Sequence, residues 1–85
     1  MGELSKLPNI GPAVEKQLIE IGINTYEELK SFGAEEAWLR IRNNDPSACI
    51  HRLLALEGAI KGIKKTELAN ERKAELKEFY NRNKN

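Results

Sequence analysis

The chain has a single cysteine, Cys49, so it forms no internal disulfide, and nothing in its sequence suggests a metal cluster. A reducing, cytoplasmic setting follows. Cys49 and His51 stand two apart, off a common helix face, with no third partner near them in sequence. That leaves Cys49 as a small buried residue and His51 as a surface one. Aromatics are equally scarce, with two Tyr, two Phe and one Trp in 85 residues, so the core has to be built mostly from Leu, Ile and Ala. No apolar run approaches the roughly 20 residues that cross a bilayer, and the N-terminus lacks a signal-peptide apolar segment. Neither sign of charge dominates. Fourteen basic and thirteen acidic residues leave a net charge of +1, which excludes a protein that coats DNA by bulk charge. Any contact with nucleic acid must be local and geometric. A phosphate-loop lysine motif, paired catalytic carboxylates and a nucleophile elbow are all missing, so no enzymatic activity, cofactor or small-molecule substrate is expected.

What is present begins with Leu7-Pro8-Asn9-Ile10-Gly11-Pro12, which reads as a tight hairpin feeding the start of a helix. Pro12 fits the first helical position, where a missing N–H costs nothing. Gly11 is expected to take a backbone conformation closed to other residues, and Asn9 is the next best residue for positive φ. Ile10 between them is an apolar plug. The free N–H groups of Gly11, Ala13 and Val14 then cluster at the positive end of a helix dipole, a place for one phosphate, with Lys6 and Lys16 as flanking charges. The bland alternative is a turn that only joins two helices.

Periodicity predicts an all-α domain spanning residues 1–85, a bundle of about five helices and no strands. A single turn over Glu3–Lys6 leads in. The first helix runs from Pro12 to about Ile21 with Val14, Leu18 and Ile21 on one face, and Gly22-Ile23 closes it in a Schellman motif. Thr25-Tyr26-Glu27-Glu28 is a capping box opening a short helix that Gly33 breaks. Ala34 to about Arg42 follows, with Ala37, Trp38 and Ile41 on its apolar stripe. Asp45 is expected to cap, and Pro46 to open, the longest and most apolar helix, Pro46 to Ile63. Within it Gly58 and Gly62 lie a turn apart, a spacing that suits close backbone packing inside the monomer. The last helix, about Ala69 to Arg82, offers Leu76, Phe79 and Tyr80, and the Asn-Lys-Asn ending should fray. Residues 43–46 echo the first hairpin. They lack its glycine, and Asp45 puts a carboxylate where a phosphate would sit, so this second hairpin reads as structural.

These motifs carry a family resemblance. Leu7–Pro12, Gly22-Ile23, Thr25–Leu29, Gly33–Trp38, Asp45–Cys49 and Leu54–Ile60 resemble, in order, the C-terminal domain of TfoX. That resemblance implies a small helical domain with a helix-hairpin-helix element and no catalytic role. It also implies an association with the regulation of DNA-uptake competence. Members often carry this domain behind a separate N-terminal one.

Two functions remain open on these grounds. One is weak, sequence-nonspecific contact with duplex DNA through Lys6, Asn9, Ile10, Gly11, Ala13, Val14 and Lys16, which a secondary basic patch of Lys61, Lys64 and Lys65 could extend. The other is a protein-interaction adaptor that docks transcription or recombination machinery without touching DNA. Neither involves a membrane.

Overall fold

The computed structural model describes residues 3–83. A 3-10 turn over Glu3–Lys6 precedes α1 (Pro12–Glu20), α2 (Tyr26–Phe32), α3 (Ala34–Asn44) and α4 (Ile50–Lys61). A second 3-10 turn over Lys65–Glu67 and α5 (Asn70–Asn83) complete it, with no strand among the described residues. Lys84 and Asn85, where fraying of the tail was expected, lie outside them, and α5 continues through Asn83.

Local signals set most of the boundaries. At the end of α1 the Ile23 N–H donates to the Leu18 carbonyl at 2.9 Å and the Gly22 N–H to Ile19 at 3.0 Å, the paired bonds of a Schellman motif. The Thr25 hydroxyl accepts from the Glu28 N–H at 3.1 Å, and the Glu28 carboxylate accepts in return from the Thr25 N–H at 3.2 Å. This capping box satisfies two of the donors that a helix N-terminus leaves free.

The helix expected to be the longest needs correction at both ends, which leaves it 12 residues long against 14 in α5. It starts at Ile50, with Cys49 rather than Asp45 as its N-cap residue. Asp45 does not cap it, because its carboxylate is occupied elsewhere. One oxygen accepts the Ser47 N–H at 3.0 Å, and the other accepts Gln17 of α1 at 2.8 Å and Arg52 of α4 at 3.2 Å. An Asp that bonds its own backbone two residues on builds a turn in place of a helix start. Residues 45–49 therefore form a loop, and Pro46 lies in it. At the other end, Gly62 is not in the helix. It takes φ +75°, and a second Schellman pair runs from Ile63 N–H to Gly58 at 2.9 Å and Gly62 N–H to Ala59 at 3.2 Å. Ile63 folds back against the core.

Helix α4 packs against α2, α3, α5 and the second 3-10 turn. The fully buried side chains around it are Leu4, Leu18, Ile23, Leu29, Trp38, Ile41, Leu53, Leu56 and Leu76. Trp38 donates its indole N–H to the Cys49 carbonyl at 3.2 Å, so the buried ring carries no unpaired donor. Phe79 and Tyr80 of α5 stand edge-on to it at 6.1 and 5.5 Å between centroids. Tyr26 donates its hydroxyl to the Ile60 carbonyl at 2.6 Å. Helix α5 has a thin apolar face, and an ion cluster supplements it. Arg72 makes a two-point contact with Glu57 at 2.9 and 3.1 Å and reaches Glu35 at 3.0 Å and Glu75 at 3.2 Å. Burial alone would push the Glu57 carboxyl up, but its bonds to Arg72, aided by Lys61, hold it below its usual value. Reciprocally, Glu57 raises the Arg72 pKa, so both members of the pair are charged at neutral pH.

Asp45 gives the fold an acid-sensitive joint. Hydrogen bonds from the Ser47 side chain, then from Gln17, lower its pKa from 3.8 to about 2. A carboxylate whose pKa is depressed on folding stabilises the fold above its unfolded value, and that contribution is lost as pH falls toward the folded one. Wild-type melting temperature should therefore drop between pH 3.8 and about 2 more steeply than that of Asp45→Asn, which keeps an oxygen acceptor for Ser47 without a titrating charge. Thermal melts at pH 5, 3.5 and 2.5 measure this; parallel curves for the two proteins would exclude Asp45 as the joint.

Candidate nucleic-acid interface

The turn between the first 3-10 turn and α1 is held from below by Asn9. Its backbone takes φ +69°, the only positive φ outside glycine among the described residues. In that conformation the side-chain amide points inward. Its N–H2 donates to the carbonyls of Ile63 at 3.1 Å and Ala55 at 3.3 Å, and its oxygen accepts the Lys65 N–H at 3.1 Å. Three bonds thus connect the turn to α4 and to the loop beyond it. This approach is possible because Gly58 has no side chain. A Cβ built there would lie 2.5 Å from the Asn9 amide nitrogen and 2.8 Å from the Ile63 oxygen. The sequence-based expectation that Gly58 serves close packing within the monomer holds, with a turn rather than a helix as the packed partner.

The residues above this anchor point outward. Ile10 is buried as the plug, whereas Lys6, Gly11, Pro12, Ala13 and Lys16 are exposed and Val14 is half-buried. Gly11 departs from expectation. It is extended, at φ −96° and ψ −178°, a conformation open to any residue, and a Cβ there would meet nothing within 4 Å. Asn9 supplies the positive φ that was expected of Gly11. No side chain caps α1. A phosphate brought to this end would meet the N–H groups of Gly11, Ala13 and Val14 with helix-dipole support. One opposing charge is built in. Glu15 is buried at 5% exposure in the first turn of α1, and its carboxylate accepts the Ser5 N–H at 3.2 Å.

The second basic patch proves to be the first turn's neighbour. Lys64 and Lys65 lie in the loop that Asn9 grips, and a groove of about 540 Å³ runs between Pro8-Asn9 and the segment Gly62–Glu67. Lys61 is also exposed, and its ammonium lies 3.5 Å from Glu57. The second hairpin expected at residues 43–46 does not form as such: Asn43 and Asn44 are the last residues of α3, and Asp45 ties the following loop to α1 and α4. Nothing in the sequence joins Asn9 to Lys65, because the two are 56 residues apart and the hydrogen bond has no local pattern.

The arginines, the side chains best suited to reading base edges, are otherwise engaged. Arg40 pairs with Glu36, Arg52 with Asp45 and Gln17, Arg72 with three glutamates and Arg82 with Glu78, while Arg42 lies over Trp38 at 5.5 Å. Gln17 and Asn9 spend their amides internally. Around the first turn the exposed groups are thus lysines and backbone donors, the kind that contact phosphate.

The architecture defines the chain as a small all-α helical domain. Within that class, the chain belongs to the TfoX C-terminal domain family, whose model matches residues 1–80. It is 38% identical over 76 residues to Protein Sxy of Escherichia coli K12, a match covering 89% of this chain and 36% of that protein. The chain thus spans about a third of the length of this curated relative. Two crystal structures of Listeria monocytogenes proteins share the fold at TM-score 0.92. The first, an uncharacterised protein in a triclinic form, is 51% identical, with 93% of this chain and 90% of that one covered. The second, of unknown function in a tetragonal form, is 50% identical, with 94% and 98% covered.

The anchor yields a direct test. Gly58→Ala should gain up to about 1 kcal/mol in helix propensity. It should instead be destabilised by roughly 1–3 kcal/mol, because the added methyl meets Asn9 and backbone. Urea unfolding of the wild type, Gly58→Ala, Asn9→Gly and the double variant reads both sites. Asn9→Gly keeps the φ while removing the amide, so it should relieve part of the Gly58→Ala penalty. Additive losses would exclude direct contact between the two sites.

Proposed function

We propose that this chain is a noncatalytic module of the competence-regulator type that holds the backbone of duplex DNA weakly and without sequence readout through its first turn. The observation that carries this reading is the α1 N-terminus. It is exposed, no side chain caps it, the bonds of Asn9 hold it in place, and Lys6 and Lys16 flank it. In this reading Gly11, Ala13 and Val14 donate N–H groups to one phosphate, Ile10 anchors the turn, Asn9 fixes its conformation, and the two lysines add local charge. Membership of a family of regulators supports the module's class, and the free lysines beside internally paired arginines support backbone contact.

Affinity follows from the size of the contact. One turn neutralises a phosphate or two, Glu15 opposes it from the first turn of α1, and the net charge of +1 adds almost no long-range attraction. Dissociation constants at or above ~10⁻⁴ M are expected at physiological salt. An adaptor that docks a protein partner through an apolar face has less support. Ile19, at 48% exposure, is the one large hydrophobic classed as exposed among the described residues, and a lone exposed side chain is ordinary for a protein surface.

Gly11→Val is a clean probe, since the native backbone at Gly11 suits valine and the site is open. The fold should persist with a loss of at most about 1 kcal/mol, since valine is a poorer N-cap than glycine, while the new side chain stands where a phosphate would approach. In an NMR titration with a short duplex, wild-type amide shifts should concentrate at Lys6, Asn9–Val14 and Lys16 and fade with salt. The variant should show none of them. Equal binding by wild type and Gly11→Val would rule out the turn as the contact.

A further inference from the structure

We infer that the loop Gly62–Glu67 is a second nucleic-acid contact, and that one sugar–phosphate strand runs from the α1 N-terminus through the Pro8–Ile63 groove to Lys64 and Lys65. This rests on the proposed backbone contact at the first turn and extends it. The groove begins where that turn ends, because Asn9, two residues before Gly11, is one of its walls. Pro8 and Ile63 give it apolar surface suited to a deoxyribose face, and Lys64 and Lys65 give it cationic surface suited to the phosphates on either side.

The two ends of this track use different chemistry. In the loop most backbone donors are already engaged. The Lys64 N–H donates to the Glu67 carboxylate at 3.3 Å, the Lys65 N–H to Asn9 at 3.1 Å and the Glu67 N–H to the Lys64 carbonyl at 2.9 Å. An anion there meets ammonium groups on flexible stems. At α1 it meets fixed, directional N–H groups. Glu67 lies in the same loop, but its bond to the Lys64 N–H draws its carboxylate toward the backbone of the 3-10 turn. Asn9 is bonded to both segments and keeps them in register, so the track is a property of the folded chain and of neither segment alone.

The experiment is a salt series of duplex affinities on the whole chain, comparing wild type with Lys64→Ala/Lys65→Gln, and with Lys64→Arg/Lys65→Arg to restore charge. Thermal melts establish that each is folded. Removing one lysine from its phosphate should reduce the magnitude of the slope of log K against log salt by about 0.9. The Ala/Gln double variant should therefore flatten the slope by close to two, and the Arg pair should recover it. Amide shifts at Ile63 and Thr66 in the wild-type titration are the expected companion. An unchanged slope with shifts confined to Asn9–Lys16 would overturn the second contact and leave the first-turn contact intact. Absence of any binding by the wild type at millimolar duplex would overturn both. Shifts confined to residues 62–67, with normal binding by Gly11→Val, would overturn the first-turn contact and the continuous track with it.

Discussion

Everything on the upper face of this domain depends on one side-chain amide placed over one missing side chain. Asn9 accepts a left-handed backbone, which glycine would take at less cost, and offsets it with three hydrogen bonds to α4 and the loop beyond. Those bonds exist because Gly58 leaves room in the middle of α4, where alanine would favour the helix by about 1 kcal/mol. The two residues are a single device. Its consequences spread outward: the turn is seated, Ile10 is driven into the core, α1 leaves at a fixed position, and the Lys64-Lys65 segment is held alongside.

How much of this could be read in advance divides along range. The Schellman stop at Gly22-Ile23, the Thr25–Glu28 capping box, the break at Gly33 and the burial of Ala37, Trp38 and Ile41 are written within a few residues, and all are found in the fold. Long-range partners defeated the rest. Asp45 followed by Pro46 carries the pattern of a helix start, and the sequence contains no sign that Gln17 and Arg52 will draw the carboxylate away. Gly58 and Gly62 look like one motif, yet one makes room for Asn9 while the other takes φ +75° to end the helix. Gly11 and Asn9 are both legible as turn residues, but their roles depend on where the Asn9 amide finds its acceptors. Of the candidate site, residue identities were legible. The joining of the first turn to the 62–67 loop was not, since it lives in contacts across 54 to 56 residues.

The near-neutral net charge conceals a division of labour between the two cation types. Every arginine is engaged within the domain, as an ion-pair partner or over a ring, and Arg72 alone links α5 to two other helices through Glu57 and Glu35. A planar guanidinium that bonds at several points is well matched to such internal duty. Lys6, Lys16 and Lys64 are exposed and carry no ion pair among the described residues. A sequence count of +1 gives the sum of the charges and not which of them remain unpaired at the surface. Charge available to a partner is set by which groups remain unspent after folding.

A contact of this kind is too weak to act as an address. Two lysines, a few N–H groups and a pair of loop ammonium groups can hold a backbone but cannot choose a sequence. Such a surface becomes effective when another interaction brings it near its target, because tethering replaces bulk concentration with a local one that reaches the millimolar range. A dissociation constant near ~10⁻⁴ M is then sufficient for high occupancy, and it still permits release once the tether is gone. A weak proposed contact and a near-neutral net charge belong together on this view. A module that bound tightly on its own would act wherever DNA was present, whereas a weak contact of the proposed kind would act only where the chain is brought.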